Sequence, residues 1–194
     1  MMCLPSVLVS LLNGILSSIS QSAVAFFGVY YKLQTFIYMP TSGIVQGMRP
    51  LMSYNYGAKL KERMHQILKV SGLVIAAILG AGTLLFFIVP NVLLSLFNAS
   101  SGMLEIGETG LRILSLSFIV SSFGVLMSGV FEALGLGKYS LIVSLLRQLL
   151  ITVPLAYILL NIMGIEGIWL SFVIAEAIAS IVAYILYHKK FKTI

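Results

Sequence analysis

The chain has 194 residues, 59% of them hydrophobic and 9% charged, with a formal net charge of +6 and a mean hydropathy of +1.06. A soluble domain carries about a quarter charged residues, and this chain has too few polar groups to cover a water-exposed surface. Apolar runs of about eighteen residues or more recur, each long enough to cross roughly 30 Å of hydrocarbon. Six such helices and short loops use nearly all of residues 1–194, which leaves no room for a separate soluble domain.

Helix one is expected over Leu4 to Ser20. Pro5, Asn13, Gly14 and several serines make it polar for a lipid-facing span, so it belongs against protein or a water-filled cavity. The alternative is that its hydroxyls bond back to their own backbone. Helix two is expected over Ser22 to Met48, with Pro40 inside it and set to kink or break it. Helix three spans Gln66 to Val89 and ends at Pro90-Asn91, before a short amphipathic piece, Val92 to Phe97. Helix four covers Glu108 to Leu134, helix five Tyr139 to Ile162 with a bend at Pro154, and helix six Gly167 to Tyr187. Gly43 with Gly47, and Gly72, Ala76 and Gly80, are small residues four apart, read as faces for close helix packing. Two bent helices and a polar first helix are common where irregular backbone borders a transporter cavity.

The basic residues are sorted by side. With alternating helices, Arg49, Lys59, Lys61, Arg63, Lys69, Lys138, Lys189, Lys190 and Lys192 fall on one face, while Arg112 lies near the opposite loops. Cationic side chains resist translocation, so the first face is expected to be cytoplasmic, with both termini inside a multi-pass plasma-membrane protein. Glu105, Glu108 and Glu166 fall on the outer side. This placement accounts for the positive charge without a nucleic-acid partner. Cys3 is the only cysteine, so no intramolecular disulfide can form. The first stretch lacks a basic start and a small-residue cleavage site, and is not read as a signal peptide.

Chemistry is sparse. There is no aspartate, and the two histidines, His65 and His188, are far apart with no companion ligands, so neither a metal nor an organic cofactor is expected. No phosphate loop and no Ser-His-carboxylate set can be assembled, which argues against an enzyme. Ionisable residues within the membrane carry more information, because each costs several kcal/mol unless paired or hydrated. Lys32, Glu132, Arg147 and Glu176 are the four. Glu132 precedes Lys138 and Arg147 follows it so that both lie ~10–14 Å from the inner surface. Similar depth on consecutive helices predicts a Glu132–Arg147 ion pair. Such a pair either fixes packing or changes partners during transport. Lys32, Phe36, Met39 and Gly43 share one face of helix two, where an aromatic ring and a thioether beside a bend suit a pocket for apolar cations. The alternative is ordinary packing or lipid contact.

Three stretches carry a family resemblance. VYYKLQTFIYMPTSGIVQGMRPLMSYNYGAK, Val29 to Lys59, resembles the second helix and following loop of the carboxy-terminal lobe in multidrug and toxic compound extrusion (MATE) transporters. FEALGLGKYSLIVSLLRQLLITVPLAYIL, Phe131 to Leu159, resembles that family's link between its tenth and eleventh helices. GIEGIWLSFVIAE, Gly164 to Glu176, resembles the start of its last helix. The resemblance implies an all-α, six-transmembrane-helix lobe corresponding to helices seven to twelve of a twelve-helix antiporter. Its other lobe would be an amino-terminal six-helix unit. Such antiporters export small organic substrates, often cations, against sodium or protons. Substrate and coupling candidates on this reading are Lys32, Phe36, Met39, Glu132, Arg147 and Glu176. Members that couple through carboxylates in their seventh and tenth helices would show them here in helices one and four. Helix one has none, and helix four offers Ser117, Ser121 and Ser122 instead. The chain is thus expected to be a truncated product or a fragment that needs an amino-terminal lobe. A flippase of lipid-linked sugars and a non-transporting scaffold subunit are the alternatives.

Overall fold

The structure, a computed structural model, describes residues 4–191, and all its regular elements are helical. Cys3 and Lys192 lie outside the described residues. Helix α1 runs Leu4–Ser17 and buries Leu8, Leu12 and Leu16, one apolar stripe at four-residue spacing. Ser17 and Ser18 donate to the carbonyls of Gly14 and Ile15 at 2.9 and 2.7 Å. The polar character of helix one is therefore partly the backbone-bonded kind. Helix α2 is Gln21–Gly57, 37 residues, started by Ser20, whose hydroxyl accepts from the Ala23 N–H.

That length corrects an expectation. α2 runs unbroken through both Pro40 and Pro50 and absorbs the Tyr54-Asn55-Tyr56-Gly57 segment, which the sequence places in a loop. Both prolines sit on the exposed side, while Thr41, Val45, Met48 and Met52 are buried behind them. Each proline removes one hydrogen bond, and packing on the other face holds the turns together.

Helix α3, Lys61–Ile88, ends two residues before Pro90, which opens α4, Pro90–Ser95, at its first position. Helix α5, Ser101–Ala133, is the hub: α2, α3, α4, α6 and α8 all pack on it. Glycines let them approach. A Cβ on Gly110 would lie 2.6 Å from the Phe26 ring, and one on Gly129 2.5 Å from Val45 Cγ1. The small residues singled out from spacing do less within this lobe. A Cβ on Gly43, Gly47 or Gly80 would meet nothing within 4 Å, and only Gly72 approaches a neighbour, Leu126. Gly43, Gly47 and Ala76 are exposed, since they face away from the lobe's own helices.

The fifth predicted helix is a rod in three parts: α6, Gly137–Leu145; a π-helical turn, Leu146–Leu150; and α7, Thr152–Met163. The interruption lies just ahead of Pro154, which falls in the first turn of α7, where a missing N–H costs least. Gly164, at φ +67, then turns the chain into α8, Ile165–Phe191.

Aromatic rings lock α2 to α5 and α8. Phe26 meets Trp169 edge-on at 5.0 Å between centroids, and Phe118 meets Tyr38 and Phe86 at 5.7 and 5.2 Å. Hydroxyls supplement this: Thr83 donates to the Ser115 carbonyl at 2.9 Å, and Ser180 to that of Val120 at 2.9 Å. Four segments are long and apolar enough to cross a membrane: α3, α5, the α6–α7 rod and α8. α2 is long enough but more polar, and the 14 described residues of α1 rise only about 21 Å. Of these two, α2 supplies polar side chains to the cleft, and α1 supplies Pro5 and Leu8.

Candidate functional site

A cleft opens between α2 and the α6–α7 rod. At one end α1 and α8 close it; at the other, α5 forms its floor. It has two chambers, of about 310 and 330 Å³, and both are bordered by Ser42 and Arg147.

The first chamber is amphipathic. Tyr31, Tyr38, Met39 and Phe172 give it aromatic and thioether walls, and Glu176 supplies a carboxylate. Arg147 Nε stands 3.5 Å from Glu176 Oε1, with the two side chains 22% and 13% exposed. The other carboxylate oxygen, Oε2, is enclosed and has no hydrogen-bond partner among the described residues. Tyr38 is held by a 2.6 Å hydrogen bond to the Ser121 hydroxyl. Arg147 is presented by the π-helical turn, and its carbonyl accepts from Thr152 Oγ1 at 2.5 Å. A widened turn rotates the side chains after it, and such turns recur at functional sites.

The second chamber is polar. Ser42, Gln46 and Arg49 line it from α2, Ser128 from α5, and Ser144 and Arg147 from the rod. Arg49 Nη2 lies 2.5 Å from Glu132 Oε2, and Ser140 donates to Glu132 Oε1 at 2.9 Å.

These contacts correct the expected Glu132–Arg147 pair. Glu132 bonds Arg49 and Arg147 bonds Glu176. Depth along neighbouring helices was matched, but rotation about the helix axes turns Glu132 toward α2 and Arg147 toward α8. The proposed α2 pocket face is also shifted. Lys32 is exposed and lines neither chamber. Phe36 is 68% exposed and likewise outside them, and Gly43 is exposed. Only Met39 reaches the first chamber, at its open edge. The true wall is the adjoining stripe, Tyr31, Gln34, Thr35, Tyr38 and Ser42. Polar side chains at spacings of three and four in an apolar helix are the signal that could have found it. Arg49 was missed because it reads as a loop cation beside Pro50.

The serines singled out in the middle of α5 bond to their own helix. Ser117, Ser121 and Ser122 each donate to the carbonyl three residues earlier. Among the described residues no three His, Cys, Asp or Glu side chains gather as metal ligands.

Comparison with known proteins agrees with this architecture. The MatE family profile matches residues 1–158. Multidrug export protein MepA of Staphylococcus saprophyticus is 26% identical over 190 residues, covering 94% of this chain and 42% of that protein. MepA of Staphylococcus aureus strain N315 is 26% identical over 175 residues, 90% of this chain and 38% of that one. The chain thus spans less than half the length of these relatives. An outward-facing multidrug resistance MATE family transporter superposes with a TM-score of 0.90 at 22% identity, over 98% of this chain and 43% of that one. A MOP superfamily transporter from Pyrococcus furiosus superposes with a TM-score of 0.90 at 21% identity, over 97% and 43%.

Proposed function

The chain belongs to the MatE family, the multidrug and toxic compound extrusion transporters, and from that premise we propose that it forms one lobe of a drug exporter. The observation that carries this is Glu176, a membrane-depth carboxylate with one unpartnered oxygen, facing a chamber walled by tyrosine, phenylalanine and methionine. An organic cation needs those two elements: a counter-charge away from water, and flat polarisable surface for its apolar body. Arg147 pairs with Glu176 across the chamber, and an entering cation competes with it.

The reading extends to the whole transporter. The lobe corresponds to the carboxy-terminal helices, and its exposed α2 face, with Phe36, Met39 and Gly43, meets an amino-terminal six-helix lobe. Both termini lie on the cytoplasmic side of the plasma membrane. A fluorescent protein fused after Ile194, which matures only in the cytoplasm, should glow. Transport is antiport driven by sodium or protons. MepA is named as a multidrug exporter, so the relatives favour neither the flippase nor the scaffold alternative.

The test is efflux of a fluorescent organic cation from liposomes holding the chain together with an amino-terminal MATE lobe. Glu176→Gln should lower the rate at least tenfold, and Glu132→Gln by less. Unchanged efflux in the double variant would sink this reading.

A further inference from the structure

We propose that the second chamber is a binding site for an oxyanion, the carboxylate or phosphate of an amphiphile, held between Arg49 and Arg147. This goes beyond the export reading, because it concerns the chamber that Glu176 does not line and holds whether or not the lobe moves cations.

The case is an imbalance of donors over acceptors. Two guanidinium groups border the chamber, and Ser42, Gln46, Ser128 and Ser144 add neutral donors. No carboxylate is among its lining residues. Each guanidinium has five N–H donors in a rigid fork suited to oxyanions. The ion pairs leave most of them free. Arg49 reaches Glu132 through Nη2, and its Nε is enclosed with no hydrogen-bond partner among the described residues. Arg147 reaches Glu176 through Nε, across 3.5 Å. Glu132 and Glu176 therefore anchor the two forks from behind without filling the space between them.

The floor is built for the same purpose. Gly129 leaves room for α2 to lie against α5, with the Cβ position blocked by Val45 and Met48. That contact sets Arg49 beside Ser128 rather than a helix diameter away. Ser42 and Arg147 also border the first chamber, so an anionic head in the second chamber leaves its apolar body access to Tyr38 and Met39.

The experiment uses the chain together with an amino-terminal MATE lobe in nanodiscs of pure phosphatidylcholine, with benzoate, its neutral near-isostere benzamide, and inorganic phosphate as probes. Benzoate or phosphate should raise the unfolding temperature in a saturable way, and benzamide should not. Repeating the titration with a third of the lipid replaced by phosphatidylglycerol separates the sources of the anion. Loss of the benzoate response there identifies a lipid headgroup as the occupant, and an unchanged response identifies a free anion; both support the site. Arg49→Gln should weaken benzoate binding at least tenfold. Ser128→Leu fills the chamber without touching a charge and should do the same, so it decides the matter if Arg49→Gln does not fold. The proposal is overturned if no anion, free or lipid, is preferred to benzamide, or if Ser128→Leu binds benzoate as the parent does.

Discussion

Arg147 and Glu176 meet across the cleft, Nε to Oε1 at 3.5 Å, and so tie the π-helical turn to α8 at membrane depth. Glu176 lines the first chamber, and Arg147 borders both. Breaking a buried pair from one side leaves an uncompensated charge and costs about 3–5 kcal/mol; replacing both partners costs far less. The cavity reduces the figure here, because 22% of Arg147 is exposed. We expect Glu176→Gln to destabilise the protein by about 1–3 kcal/mol. Adding Arg147→Gln should restore most of that, as read by denaturant unfolding in detergent. Additive losses in the double variant would mean that the pair is not coupled.

The second pair makes a sharper comparison. A double-mutant cycle on Arg49→Gln and Glu132→Gln should give a coupling of about 1 kcal/mol, as for a partly exposed ion pair. The same cycle on Glu132→Gln and Arg147→Gln should give little. The opposite ranking would restore the pairing that depth alone suggests.

Gly110 tests the helix packing. An added Cβ would lie 2.6 Å from Phe26 Cε1 and Cζ and 3.2 Å from Trp169 Nε1. Gly110→Ala should therefore cost about 1–3 kcal/mol by overpacking, with a shift in emission of Trp169, the only tryptophan. Gly80→Ala meets nothing within 4 Å and should be neutral or stabilising, by up to about 1 kcal/mol from helix preference. Equal losses at both positions would contradict this packing.

Thr152 is fully buried and its hydroxyl donates to the Arg147 carbonyl at 2.5 Å. Thr152→Val keeps the shape and removes the bond, at a cost of about 1 kcal/mol. If that bond holds Arg147 in place, the Glu176→Gln penalty should shrink in the Thr152→Val background. An unchanged penalty would limit Thr152 to a local role.

Expressed alone, the chain exposes the α2 stripe of Phe36, Met39, Ser42 and Gly43. We expect it to self-associate or to unfold readily until an amino-terminal lobe is supplied. Light scattering in detergent checks this, and a stable monomer that binds no such lobe counts against the half-transporter reading.

Much of the architecture was legible in the residues. The apolar runs marked all the long helices, Pro90 marked the break before α4, and Pro154 marked the irregular stretch in the rod within a turn of its place. The carboxy-terminal end of α2 was not legible, although its start was within one residue. Pro50 and a Tyr-Asn-Tyr-Gly segment read as a loop, and only the burial of Val45, Met48 and Met52 against neighbouring helices keeps that stretch helical. The site was half legible. Glu132, Arg147 and Glu176 stood out because charge at membrane depth is costly, whereas Arg49 and the Tyr31–Tyr38–Ser42 wall did not.

Taken alone, the sequence determined the apolar character, the helix breaks and which ionisable residues lie at membrane depth, because each follows from one-dimensional quantities: apolar length, local breakers and depth along a helix. It overstated the apolar spans, six where four segments are long and apolar enough to cross. The tertiary structure alone decided which charges meet. Partner choice depends on each helix's rotation about its own axis, and α5 fixes how α2 lies on it through contacts of Gly110 with Phe26 and of Gly129 with Val45, each eighty-four positions away. Arg49 is turned to Glu132, Arg147 to Glu176, and the space left between the two pairs becomes the cleft.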